Sequence, residues 1–123
     1  MPAGAYEQLQ RIARSAGKRE ACALLLGRSV GENVFIDGIV GARNTRRTRH
    51  SFGISRAVLA SMPRTPIGLF HTHARTPHPS PADAAACHQI TWLEVQIIGV
   101  LCADGLVCRA FGFDRQERSL QWL

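Results

Sequence analysis

The chain has 123 residues, enough to bury one hydrophobic core and too few for two, so a single domain spanning residues 1–123 with one functional site is expected. Hydrophobic residues make up 46% and charged residues 20%, close to the globular average, so disorder is not the default reading; no apolar run reaches the roughly 18 residues of a membrane span. The formal charge of +6 comes almost wholly from arginine, Lys18 being the one lysine, and such a surface can steer an acidic partner, whether protein or nucleic acid. Residues 1–7 lack a basic stretch followed by an apolar core, and no repeat or low-complexity segment divides the chain, so a soluble cytoplasmic protein is the simplest expectation.

Leu9, Ile12, Ala13 and Ala16 recur at helical spacing over residues 5–16, and Gly17 is a natural stop, which predicts an amphipathic opening helix. Ala21 to Leu26, ended by Gly27, and Val34 to Val40 are short apolar runs separated by Gly31, Glu32 and Asn33. Together they predict a β-hairpin, with Glu20 at the start of its first, buried strand. An Arg-rich stretch follows (Arg43, Arg46, Arg47, Arg49). It lacks interleaved aromatics, so it reads as a solvated loop and gives little support to a single-strand nucleic-acid platform. His50 to Ile54 predicts a short strand, and Ser55 an N-cap for a helix over 56–62, before Pro63 and Pro66 punctuate the chain.

Ile67 to Phe70 reads as a central strand that delivers His71 and His73 to its C-terminal end. The segment from Ala74 to Pro79 is loop. Ser80 as N-cap and Pro81 at the first helical position open a helix to about Trp92, with Asp83 in its first turn. Val95 to Cys102 and Leu106 to Phe113, joined at Ala103, Asp104 and Gly105, predict a second hairpin. The element order implies an α/β domain with a mixed sheet flanked by helices. Cys22, Cys87, Cys102 and Cys108 show no C-x-x-C spacing, which argues against a disulfide scaffold or a cysteine zinc knuckle and for buried apolar use of each.

His71 and His73 are the most informative pair in the chain. Side chains two apart on a strand point the same way, so both imidazoles face one side. Asp83, ten residues beyond His73, can close the set after a turn. Two His, one Asp and an open fourth position for water are what a catalytic zinc site requires, whereas a structural site fills all four positions with protein. Ser80 and Asp83 also make an ordinary helix-capping arrangement, so it is the conjunction that points to a metal. His50, His78 and His88 fall outside the pattern, His78 between two prolines being the one spare ligand.

The run Glu20, Ala21, Cys22, Ala23, Leu24, Leu25, Leu26, Gly27, followed by His71, Thr72, His73 and then Pro79, Ser80, Pro81, Ala82, Asp83, resembles the JAMM (MPN+) zinc metallopeptidase family. Asn44, Phe52 and Ile54 look like that family's middle segment, so the resemblance covers roughly residues 5–113. Two departures stand out. Six residues separate His73 from Ser80, beginning with Ala74, where the family usually has seven beginning with Pro, and Ala23 replaces a common Gly. The resemblance implies an MPN fold in which His71, His73 and Asp83 hold one Zn2+, Glu20 serves as general base, and Ser80 donates to the oxyanion. It also implies an isopeptidase acting on the Gly-Gly-type tail of a ubiquitin-like or sulfur-carrier protein, because the chain has no room for insertions that grip ubiquitin chains. Alternatives are a hydrolase of a small peptide or cysteine conjugate, and a non-catalytic MPN interaction scaffold.

Overall fold

The computed structural model describes residues 4–17, 21–42, 64–73, 94–112, 114 and 116–123. The expected Arg43 to Arg49 loop, the strand from His50, the helices over 56–62 and from Ser80, and Cys87 lie outside the described residues, as do Glu20, Ser80 and Asp83.

The opening helix, α1, runs Ala5–Ala16. Glu7 in its first turn and Arg14 in its last complement the helix dipole, and Gly17, at a φ of 63°, ends it as expected. Ala5, Leu9 and Ala13 form its buried stripe, four residues apart, while Ile12 is partly buried beside them. A wholly buried leucine such as Leu9 contributes roughly 1.5–3 kcal/mol relative to exposure.

Strands β1 (Cys22–Val30) and β2 (Asn33–Ala42) form the first hairpin. β1 does not end at Gly27, as the sequence led us to expect, but continues to Val30 through a bulge. Leu26 pairs with Gly38 and Gly27 with Ile36, so Asp37 is an extra residue in β2. The bulge resets the alternation, and Ile36 and Ile39, three apart, both meet the core. Gly27 is required at this point because a Cβ there would overlap the Phe35 carbonyl. Arg64, just before the next strand, hydrogen-bonds and ion-pairs with the bulged Asp37.

Strand β3 (Gly68–Thr72) lies between β1, which it pairs antiparallel, and β4 (Val95–Cys102), which it pairs parallel. β4 turns back into β5 (Gly105–Gly112), the second expected hairpin. A last strand absent from the sequence reading, β6 (Glu117–Trp122), pairs antiparallel with β5 and parallel with β2. The sheet is mixed, as expected, but β6 closes it into a barrel in the order β1-β2-β6-β5-β4-β3. β6 was illegible because its residues are half-exposed or exposed and only Leu120 and Trp122 pack on the core.

One face of the sheet, carrying Ala23, Leu25, Phe70, Val95, Ile97, Leu106 and Ala110, shares a single core with the α1 stripe. Tyr6 ties the two layers together by donating its hydroxyl to the Leu106 carbonyl at 2.6 Å, with its ring 5.7 Å from that of Trp122. Buried apolar use holds for Cys22, whereas Cys108 is half-buried and Cys102 is exposed at the end of β4, a correction to the uniform expectation. Burial pushes the Cys108 thiol up to about 12. Among the described residues no helix is long and apolar enough to cross a membrane.

Candidate metal centre

β3 is buried on both faces and therefore reads as an unbroken apolar run, Gly68-Leu69-Phe70, before its two histidines. Phe70 faces the α1 core, so His71 must face the other way. Residues paired across strands share a face, which places Cys22, His71 and Ile98 in one row. All three are essentially inaccessible, at 1%, 0% and 0% exposure, so the His71 imidazole is held in a dry, packed setting. A ring fixed in this way loses little rotamer freedom on binding a ligand.

His73 stands one residue beyond β3, yet its N–H donates to the Gly99 carbonyl at 2.8 Å, so β4 still holds it. It is half-buried. Its ring lies 4.9 Å, centroid to centroid, from that of His71, with the planes at 62°. The two imidazoles therefore lie beside each other, as expected of side chains two apart on a strand. Two imidazole donors suit a zinc-type ion, and the paired strands supply the rigidity such a site needs. The chemistry of this donor pair therefore fits an ion of that kind. Among the described residues no three His, Cys, Asp or Glu side chains form a metal-holding group, so any third ligand comes from elsewhere in the chain.

Thr72, between the two histidines, makes a contact the sequence did not signal. Its N–H donates to the Ala21 carbonyl at 3.1 Å, and its hydroxyl oxygen accepts the Ala21 N–H at 2.9 Å. Ala21 immediately follows Glu20 in the chain. Nothing about a threonine in a strand marks such a role, because it depends on which strand lies alongside. Likewise, the neighbourhood of Cys22 and His71 follows from strand register alone.

A family model for prokaryotic homologs of the JAB domain matches residues 2–114. Among solved structures, a protein from Desulfitobacterium hafniense is 25% identical, with a TM-score of 0.69 over 93% of this chain and 85% of that one. A JAB1/MPN domain protein from Archaeoglobus fulgidus is 18% identical, with a TM-score of 0.63 over 96% of this chain and 93% of that one. A JAMM protein presented as a metalloprotease-like zinc site in the proteasome and signalosome is 17% identical, with a TM-score of 0.61 over 96% and 90%. No curated protein matches the chain. At 17–18% identity the last two likenesses establish the fold, while the family match covers nearly the whole sequence. The chain therefore belongs to the prokaryotic homologs of the JAB domain and folds as a single JAB/MPN-type domain built on a mixed sheet.

Proposed function

We propose that this protein is a zinc-dependent metallopeptidase of the cytoplasm that hydrolyses the amide bond at the C-terminal tail of a ubiquitin-like or sulfur-carrier protein. The observation that carries the reading is the convergence of the His71 and His73 rings at the end of β3 in a chain of the JAB family. In this reading His71, His73 and Asp83 hold the metal. A bound zinc ion supplies Lewis acidity, activating water and polarising the scissile carbonyl.

The chain's own groups do the rest. Glu20 takes the proton of the attacking water and passes it to the leaving amine. Glu20 lies outside the described residues, and its role here rests on its place in the sequence motif, two residues before Cys22, which pairs with His71. Ser80 donates a hydrogen bond to the oxyanion, a contact whose loss typically costs about 10²- to 10³-fold in rate.

The test is to purify the protein without chelator, measure bound zinc by elemental analysis, and incubate it with a panel of Gly-Gly-tailed precursors and fusions. Expected are about one zinc per chain, cleavage at the tail, and an E20A variant that keeps zinc and fold but loses turnover. A zinc-loaded wild type that cleaves no member of the panel refutes the proposed substrate. A protein that takes up no zinc points to a non-catalytic scaffold.

A further inference from the structure

We propose that Thr72 is a positioning residue that fixes the chain at Ala21, the residue that follows Glu20, an inference that rests on reading Glu20 as the general base. The main-chain pairing of β1 with β3 is registered from Leu25–Gly68 to Cys22–His71. At the next pair, Ala21 with Thr72, one link remains main chain: the Thr72 N–H donates to the Ala21 carbonyl at 3.1 Å. The return link is made by a side chain, the Thr72 hydroxyl oxygen accepting the Ala21 N–H at 2.9 Å. Ala21 is 3% exposed, so water is a poor substitute acceptor. The last hydrogen bond before Glu20 therefore belongs to the residue between the two histidines.

Branching at Cβ makes this acceptor rigid, because threonine has few allowed χ1 wells and its hydroxyl direction follows from the backbone. The histidines are held from the opposite side. Thr72 pairs with Gly99 of β4, and the His73 N–H donates to the Gly99 carbonyl at 2.8 Å. β4 thus secures the imidazoles while the Thr72 hydroxyl secures the entry of β1, and the two restraints are separable. Removing the hydroxyl takes the acceptor from the Ala21 N–H and leaves Ala21 held by its carbonyl alone, while the imidazoles stay in place. A merely structural threonine would weaken both together.

The experiment compares wild type with T72V, which keeps the shape and removes the acceptor, and T72S, which keeps the acceptor. Amide hydrogen exchange is read at Ala21, with Leu24 and Phe70 in the same strand pair as internal controls. Zinc affinity, kcat and KM are measured alongside. In T72V the Ala21 amide is expected to exchange about tenfold faster or more while the controls hold. Zinc affinity stays within about twofold, and kcat falls about 10- to 100-fold with KM unchanged. T72S restores all of these. Unchanged Ala21 exchange in T72V overturns the proposal, and so does a loss of zinc affinity parallel to the loss of kcat. If T72V does not fold, T72A removes the same acceptor and is held to the same outcomes. A wild type that loads zinc but hydrolyses nothing refutes the peptidase reading alone, since Ala21 exchange and the mobility of the Glu20 side chain by NMR still decide whether Thr72 holds this strand entry.

Discussion

Replacing Gly99 with alanine places a methyl group between β3, β4 and β5, directly behind the histidine pair. A Cβ there would stand 2.9 Å from Leu106 Cδ1, 2.9 Å from Phe70 Cε1 and 3.2 Å from Phe70 Cζ. The leucine methyl is the free end of a flexible side chain and can turn away. The Phe70 ring cannot, since it is wholly buried in close-packed surroundings. Overpacking of this kind costs about 1–3 kcal/mol, offset by about 0.4–1 kcal/mol from the reduced freedom of the unfolded chain. A net loss of about 1–2 kcal/mol is expected. At about 2.1 cal/mol/K per residue, a domain of this length has an unfolding entropy of roughly 0.26 kcal/mol/K, so Tm should fall by about 4–8 °C. G41A is the control. Among the described residues a Cβ at Gly41 meets only Ile12 Cδ1, at an ordinary 3.6 Å, so no packing clash there opposes the chain-entropy gain and Tm should rise by about 2–4 °C. Both values come from calorimetric melts of the two variants beside wild type. A G99A protein that melts at or above the wild-type temperature would refute the packing argument, and equal melts for G99A and G41A would show that the Phe70 ring is not tightly held.

The remaining predictions concern ionisable groups away from the histidines. Burial holds the Cys108 thiol up at about 12, against roughly 8.5 in an unfolded chain, so above about pH 8.5 the unfolded state binds fewer protons and stability falls as pH rises toward 12. The same burial protects Cys108 from alkylation. Iodoacetamide at pH 8.5 should label exposed Cys102 first, with Cys22 and Cys108 labelled only on unfolding; peptide mass spectrometry that finds Cys108 labelled as fast as Cys102 contradicts this. Asp37 has its carboxyl held below the usual range, first by the hydrogen bond from Arg64. Its contribution is therefore present above the unfolded value near pH 3.9 and is lost as pH falls through the lower folded value. Both partners are solvent-exposed, so the effect is small and salt-screened. The Tm difference between D37N and wild type should shrink below pH 4 and in high salt, and a difference that persists unchanged at pH 2 would assign it to the bulge geometry instead.

Local patterns settled much of this protein in advance. The stripe of Ala5, Leu9 and Ala13, the apolar runs of β1 and β3, and the short turns of both hairpins follow from rules acting over a few residues, and each element formed where those rules apply. The pairing of His71 with His73 was equally legible, because period-2 alternation on a strand is a local property and the two rings do converge. Three other features depended on which segments meet in space. β6 is too short of apolar residues to announce itself, and it exists because β2 and β5 each offer it a strand edge. The bulge at Asp37 arises from matching β2 to β1, and it alone explains why Ile36 and Ile39 both reach the core. The last is the bond between Thr72 and Ala21, residues 51 apart in sequence, whose partner is chosen by strand register. Sequence by itself determined the chemistry available at the end of β3, since that chemistry rests on residue types and their spacing. Only the tertiary structure decided what holds those residues in place, since long-range strand pairing depends on the closure of the whole sheet.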